Sequence, residues 1–199
     1  MKTIQDINFK DKKALIRVDF NVPLNKELVV TDLTRIEAAK PTIEKILNDG
    51  GSCVLLSHLG RPKNKELEFS LQHIVEAVSK VLGVQVLFAS DCVGEIAETA
   101  VANLKPKQVL LLENVRYHMQ ETAGDRDFAK KLSKLGDIYV NDAFGSAHRA
   151  HASTAIITEN FPKDKCFGAL LASEIHSLEK VLGDSQKPVT AVIGGAKVS

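Results

Sequence analysis

The chain has 199 residues, 44% of them hydrophobic and 26% charged, enough to enclose one large core or one domain and part of another. Its 26 Lys and Arg nearly balance 25 Asp and Glu, so its overall charge gives no general attraction to nucleic acid or an anionic membrane, and any anion site has to be local. Three widely spaced cysteines without a C-x-x-C pair speak against a disulfide framework or a thiolate zinc site, and no run approaches the ~20 apolar residues of a membrane span, so the default location is the cytoplasm.

Apolar, β-branched runs alternate with helical patterns along the chain. Residues 14–20 (ALIRVDF) predict a first strand. Residues 34–48 predict a helix with Ile36, Ala39, Ile43, Ile46 and Leu47 on one face, and Pro41 predicts a kink or a late start within it. Residues 52–57 (SCVLLS) predict the second strand. Ser70 then caps a helix carrying Leu71, Ile74, Val75, Val78 and Leu82, with Gly83 as its stop. Residues 85–89 (QVLFA) follow as a strand, and Asp91 is placed to cap a helix running to Leu104. Residues 109–112 (VLLL) form the fourth strand, residues 129–135 a short helix and residues 138–140 (IYV) the fifth strand. Residues 173–183 read as a further helix and residues 188–193 (PVTAVI) as a fresh buried strand.

Strands alternating with helices of this length predict a three-layer α/β domain, doubly wound and Rossmann-like, with helices on both faces of a parallel sheet. The expected division is a first domain over residues 1–171, an interdomain helix and linker over 172–187, and the first strand of a second domain over 188–199. The chain reads as stopping shortly after that second domain begins.

In open parallel sheets ligands bind beyond the carboxyl ends of the strands. The loops there carry Asp19 and Asn21, then His58 and Arg61, then Arg116 and His118, then residues 141–154 (NDAFGSAHRAHAST) with Arg149; Arg35 opens the first helix. Guanidinium groups recognise phosphate and carboxylate in bidentate fashion, so several aimed at one crevice point to a small, highly charged anion. A metal site at His58, His148 and His151 is disfavoured by Arg149 between two of its members and by the lack of an H-E-x-x-H pattern. Neither G-x-x-x-x-G-K-[ST] nor G-x-G-x-x-G occurs, so the phosphate site is built from side chains. The plainer alternative is a structural ion-pair network with Asp19, Glu113 and Asp142 as partners. Taken singly, Arg17 reads as an ion-pair former within a strand, His118 as bonded to its own loop, His73 and His176 as helix-surface residues, and the cysteines as packing.

The motifs RVDFNVP, SHLGRP, LLENVRYH, VNDAFGSAHRAHAS and GGAKVS, in this order, resemble those of phosphoglycerate kinases over essentially the whole chain. The resemblance implies reversible phosphoryl transfer between 1,3-bisphosphoglycerate and MgADP, giving 3-phosphoglycerate and MgATP, in a monomer of two domains facing a cleft. It implies that Asp19 and Asn21 hold the hydroxyl and carboxylate end of the substrate, and that His58, Arg61, Arg116 and Arg149 hold its phosphate. Arg35 matches a catalytic arginine that reaches the phosphoryl group in flight, and Lys197 of GGAKVS a lysine that stabilises charge on that group. Mg²⁺ with ADP or ATP is expected to be held mainly by a second domain, and no nucleic acid or membrane partner is implied. Phosphoryl transfer needs positioning and charge stabilisation more than a base, so Arg and Lys suffice. The MQETAGD stretch after His118 and Lys40 read as surface features. Taken as 199 residues alone, the chain is expected to bind phosphoglycerate without turnover.

Overall fold

The computed structural model describes residues 1–183 and Thr190; apart from Thr190, the expected strand at 188–193 lies outside the described residues, as does Lys197. Six strands form one sheet: β1 (Lys13–Arg17), β2 (Ser52–Leu56), β3 (Val86–Ala89), β4 (Val109–Leu112), β5 (Ile138–Asn141) and β6 (Lys165–Phe167), ordered β3-β4-β2-β1-β5-β6 and parallel throughout. The helices are α1 (Thr34–Asn48), α2 (Val75–Leu82), α3 (Gly94–Ala102), α4 (Met119–Ala123), α5 (Arg126–Ser133), α6 (Phe144–Ala147) and α7 (Ala169–Leu182). The α/β, Rossmann-like expectation holds.

Alternation along the central strands builds two cores. Ile16, Leu55, Leu111 and Val140 point to one face, where Ile36, Ile43 and Ile46 of α1 and Val78 of α2 meet them. Leu15, Val54, Leu110 and Tyr139 point to the other, against Ala97 and Val101 of α3 and Phe128 and Leu132 of α5. Side chains of successive strand residues lie on opposite faces, which is why these runs are apolar throughout rather than every second residue.

Connections run from β1 toward β2 and from β5 toward β6, in opposite directions from the centre of the sheet. The loops after β1 and β5 therefore part from each other and leave a crevice at the switch point, beyond the carboxyl ends of the strands.

Several local expectations change. Helix α1 runs through Pro41 without a late start. Pro41 and Glu37 both sit on the exposed side, so solvent can take the Glu37 carbonyl that lacks its usual donor. The helix after β3 begins at Gly94 without a side-chain cap; Asp91 instead accepts from the Cys92 N–H and pairs with Lys65 and His118. Asp125 caps α5 through Phe128 N at 2.7 Å, so that helix starts earlier than the apolar pattern shows. Helix α7 likewise begins at Ala169, its first N–H taken by Thr42 Oγ1 at 2.8 Å. Strand β6 is too short to show any alternation.

Candidate anion-binding site

Seven of the eight expected site residues line one cavity of about 250 Å³ at the switch point: Asp19, Asn21, Arg35, His58, Arg61, Arg116 and Arg149, with Gly60, Gly145 and Ser146 completing the wall. The eighth, Lys197, lies outside the described residues.

The loops are tied to one another around Gly60. Asn21 Oδ1 accepts from the Gly60 N–H at 2.8 Å, and Arg116 Nη1 donates to the Gly60 carbonyl at 2.8 Å. Asn114 Nδ2 donates to the Leu59 and Phe69 carbonyls at 2.8 and 2.9 Å, while its Oδ1 accepts from Arg116 N. Gly60 has φ +61° and a Cβ there would overlap the Phe69 ring, so this turn admits only glycine. Gly145 approaches the opposite wall: a Cβ on it would lie 2.8 Å from Asp19 Oδ2.

The acids do not neutralise this cluster. Glu113 accepts from Ser70 Oγ at 2.6 Å and Leu71 N at 2.8 Å, holding the turn before α2. Asp142 accepts from Leu171 N at 3.2 Å in the first turn of α7, and its Oδ2 is buried without a partner among the described residues. Only Asp19 of the three pairs with an arginine, Arg35. The ion-pair network weighed from the sequence thus reduces to one pair among the described residues, and Arg61, Arg116 and Arg149 face the cavity without a carboxylate.

Electrostatics record the excess of positive charge. Burial, then Arg17, Arg116 and Arg35, hold the His58 imidazole down at about 2, so it is neutral at working pH. Arg116 is pushed below its ordinary value by burial and by Arg17, Arg149 and Arg61, with Glu121 opposing. Burial and the arginines also lower His151, again against Glu121. Like charges held this close are stabilised by a bound anion.

Three residues depart from their expected roles. Arg17 is fully buried and forms no ion pair within 4 Å among the described residues; it donates to Ser153 Oγ at 2.9 Å, to the Val18 carbonyl, and to His58 Nδ1 at 3.1 Å. Glu121, from the stretch read as surface, is fully buried beneath the site. Its carboxylate accepts from Ser153 Oγ at 2.6 Å and Ser153 N at 2.9 Å. Periodicity could not reveal it, because α4 is a single short turn set inward by the 150–154 loop. His118 also departs from its expected place: Nε2 reaches Asp91 Oδ1 at 2.8 Å, across two loops. With Cys92 these two form the one grouping of metal-ligating side chains among the described residues, and both Asp91 oxygens are already engaged by Lys65 and His118.

A parallel α/β sheet with four arginines converging on one cavity at its switch point has the geometry and charge to suit a small polyanion. The chain belongs to the phosphoglycerate kinase family, whose model matches residues 4–199. It is 49% identical to a phosphoglycerate kinase of Porphyromonas gingivalis over 221 residues, covering 99% of this chain and 53% of that protein. It is 50% identical to one of Moorella thermoacetica over 198 residues, covering 99% of this chain and 50% of the other. The phosphoglycerate kinase structure from Coxiella burnetii superposes with a TM-score of 0.84 at 38% identity, over 98% of this chain and 48% of that one. That from Pyrococcus horikoshii gives 0.85 at 29% identity, over 94% and 47%. The chain spans about half the length of the relatives it matches.

Proposed function

We propose that this chain supplies the 3-phosphoglycerate-binding half of a phosphoglycerate kinase, the enzyme that moves a phosphoryl group reversibly between 1,3-bisphosphoglycerate and MgADP in glycolysis. The observation that carries the reading is the cavity at the sheet's switch point, where Arg35, Arg61, Arg116 and Arg149 converge on a space walled also by Asp19, Asn21 and His58. A substrate with a phosphate at one end and a carboxyl at the other matches a cleft with guanidiniums spread along its length.

In this reading Arg61, Arg116 and Arg149 hold the non-transferred phosphate, and His58 donates to it. Asn21 keeps its carbonyl oxygen on Gly60, which leaves its amide to bond the substrate's carboxyl end. Asp19 accepts from the substrate hydroxyl. Arg35, half-exposed on the first turn of α1, exchanges Asp19 for the transferring phosphoryl group and follows the charge that develops on it.

The cavity does not fit Mg²⁺. Its one carboxylate, Asp19, is paired with Arg35, and its remaining charged groups are cationic, so the metal nucleotide is assigned to the part of the family's length beyond this chain. No step by the described residues passes through the metal. As 199 residues, the chain binds phosphoglycerate and does not turn it over. The half-length match to the relatives supports this.

The test is an NMR titration with 3-phosphoglycerate beside a sulfate control. Saturable shifts on Asn21, His58, Arg61, Arg116 and Arg149, weaker with sulfate, are expected. Diffuse shifts of equal size with both ligands would reduce the site to a general anion patch.

A further inference from the structure

Behind the cavity lies a chain of buried polar groups, running from Glu121 of α4 through Ser153 to Arg17 of β1 and ending on His58, the one member that lines the cavity. Glu121, Arg17 and Ser153 are fully buried, and His58 nearly so. The Ser153 hydroxyl donates to Glu121 Oε1 at 2.6 Å and accepts from Arg17 Nε at 2.9 Å. The Ser153 amide donates to the second Glu121 oxygen at 2.9 Å, so the carboxylate is gripped at both ends. Arg17 then has one nitrogen on the Val18 carbonyl and another 3.1 Å from His58 Nδ1.

A guanidinium has no lone pair to accept a hydrogen bond. His58 Nδ1 must therefore be the acceptor and carry no proton, which leaves the ring proton on Nε2. That nitrogen has no hydrogen-bond partner among the described residues, on a side chain that lines the anion cavity.

We infer that Glu121 and Ser153 are positioning residues. Through Arg17 they lock His58 as the neutral Nε2–H tautomer, and the imidazole meets the anion as an uncharged donor. The inference rests on the anion-binding reading of the cavity, and adds what that reading leaves open: how a histidine among four arginines keeps one protonation state.

Each link is needed. A lone buried Arg17 would carry an uncompensated charge, so Glu121 is placed one hydroxyl away rather than in the cavity, where it would repel the ligand. Ser153 passes the interaction on because a hydroxyl can donate and accept at once. The charged groups around His58 are Arg17 from β1, Arg35 from α1, Arg116 after β4 and His151 after β5, all of which oppose its protonation, with Glu121 of α4 linked to it only through Ser153 and Arg17. Anion affinity is therefore set by the arginines and stays level where a free histidine would titrate.

The experiment is two-bond ¹H–¹⁵N NMR of the histidine rings in the 199-residue chain, which distinguishes protonated from bare ring nitrogens. The expected wild-type result is a His58 with Nε2 protonated and Nδ1 bare, unchanged from about pH 8 to about pH 5. Ser153→Ala cuts the chain of bonds and Glu121→Gln removes its charge while keeping its shape. In whichever of these retains the wild-type fold in its amide spectrum, His58 should populate both tautomers. The dissociation constant for 3-phosphoglycerate should rise on the order of tenfold, the scale of one charge-assisted hydrogen bond.

A wild-type His58 that is protonated on Nδ1, or is imidazolium near pH 6, overturns the inference, and this holds even if neither variant folds. So does an unchanged tautomer in folded variants of both kinds. A locked tautomer in a wild-type chain that ignores 3-phosphoglycerate would instead sink the proposed substrate and leave the lock standing.

Discussion

Arg35 and Asp19 close on each other across the mouth of the cavity, the guanidinium half-exposed and the carboxylate only 11% exposed. With its guanidinium half in water, the pair contributes on the order of 1 kcal/mol, so an incoming anion can take the arginine at little cost. The arginine is thus held near the cavity and remains available.

From that availability follows a kinetic split. In a protein of full family length, Arg35→Ala should lower kcat roughly a hundredfold or more while the KM for 3-phosphoglycerate changes by less than about tenfold, because the contact strengthens only as charge develops on the moving group. Steady-state kinetics decide it. A rise in KM with kcat intact would make Arg35 a plain binding residue.

Arg149 sits on the far wall, exposed, in the loop that follows α6. Removing one of the three guanidiniums proposed to hold the phosphate should weaken 3-phosphoglycerate binding about ten- to a hundredfold, the range of a charge-assisted hydrogen bond, and weaken sulfate less. Isothermal titration of Arg149→Ala with both ligands measures the difference. An equal loss for each would mean that this residue supplies only general charge.

Much of this was legible in the sequence, for a physical reason. Central strands buried on both faces write themselves as unbroken apolar runs, and ligand loops beyond them write themselves as Arg, His, Asn and Asp where a core would not carry them. So β1 to β5, and seven residues that the fold brings to one cavity, could be placed from the sequence. What could not be read is tertiary in origin. Glu121 looks like any solvent acid until the 150–154 loop folds over it, and Arg17 looks like an ion-pair former until its neighbours prove to be a serine and an imidazole. Asp91 looks like a helix cap because nothing local says that Lys65 and His118 will reach it first. Glu113 and Asp142, natural partners for arginine by sequence, turn inward to serve N–H groups at the starts of helical segments.

Two glycines separate the site from its scaffold. A Cβ at Gly145 meets only the tip of Asp19, which can swing aside, whereas one at Gly136 lies 2.7 Å from Leu15 Cβ, 3.0 Å from Leu15 N and 3.1 Å from the Lys13 carbonyl, in the backbone of β1. Gly136→Ala should therefore destabilise the fold by about 1 to 3 kcal/mol, as overpacking does. Gly145→Ala should leave stability within about 0.5 kcal/mol, as surface changes do, yet weaken 3-phosphoglycerate binding by displacing Asp19. Urea denaturation beside ligand titration checks both, and a stability loss of equal size in the two variants would contradict the distinction.

Asp142 and His58 give the fold opposite responses to pH. Burial pushes the Asp142 carboxyl up from 3.8 to about 6, against the hydrogen bonds from Thr42, Leu171 and Leu170 that pull it down. Between those values the folded state holds a proton that the unfolded chain has released, so this group's contribution to stability is lost as pH rises from about 4 to about 6. His58 is held near 2 by burial and by Arg17, Arg116 and Arg35. Below its ordinary value of 6.5 the unfolded chain takes up a proton that the folded state refuses, so its contribution is lost as pH falls. Each slope can reach about 1.4 kcal/mol per pH unit, and between about pH 4 and 6 they oppose one another in the wild type. Urea denaturation of Asp142→Asn and His58→Gln should separate them. Relative to wild type, Asp142→Asn should gain stability as pH rises through that window, and His58→Gln should gain it as pH falls. Difference curves that are flat, or that slope the same way, would show that neither buried group is held as its surroundings dictate.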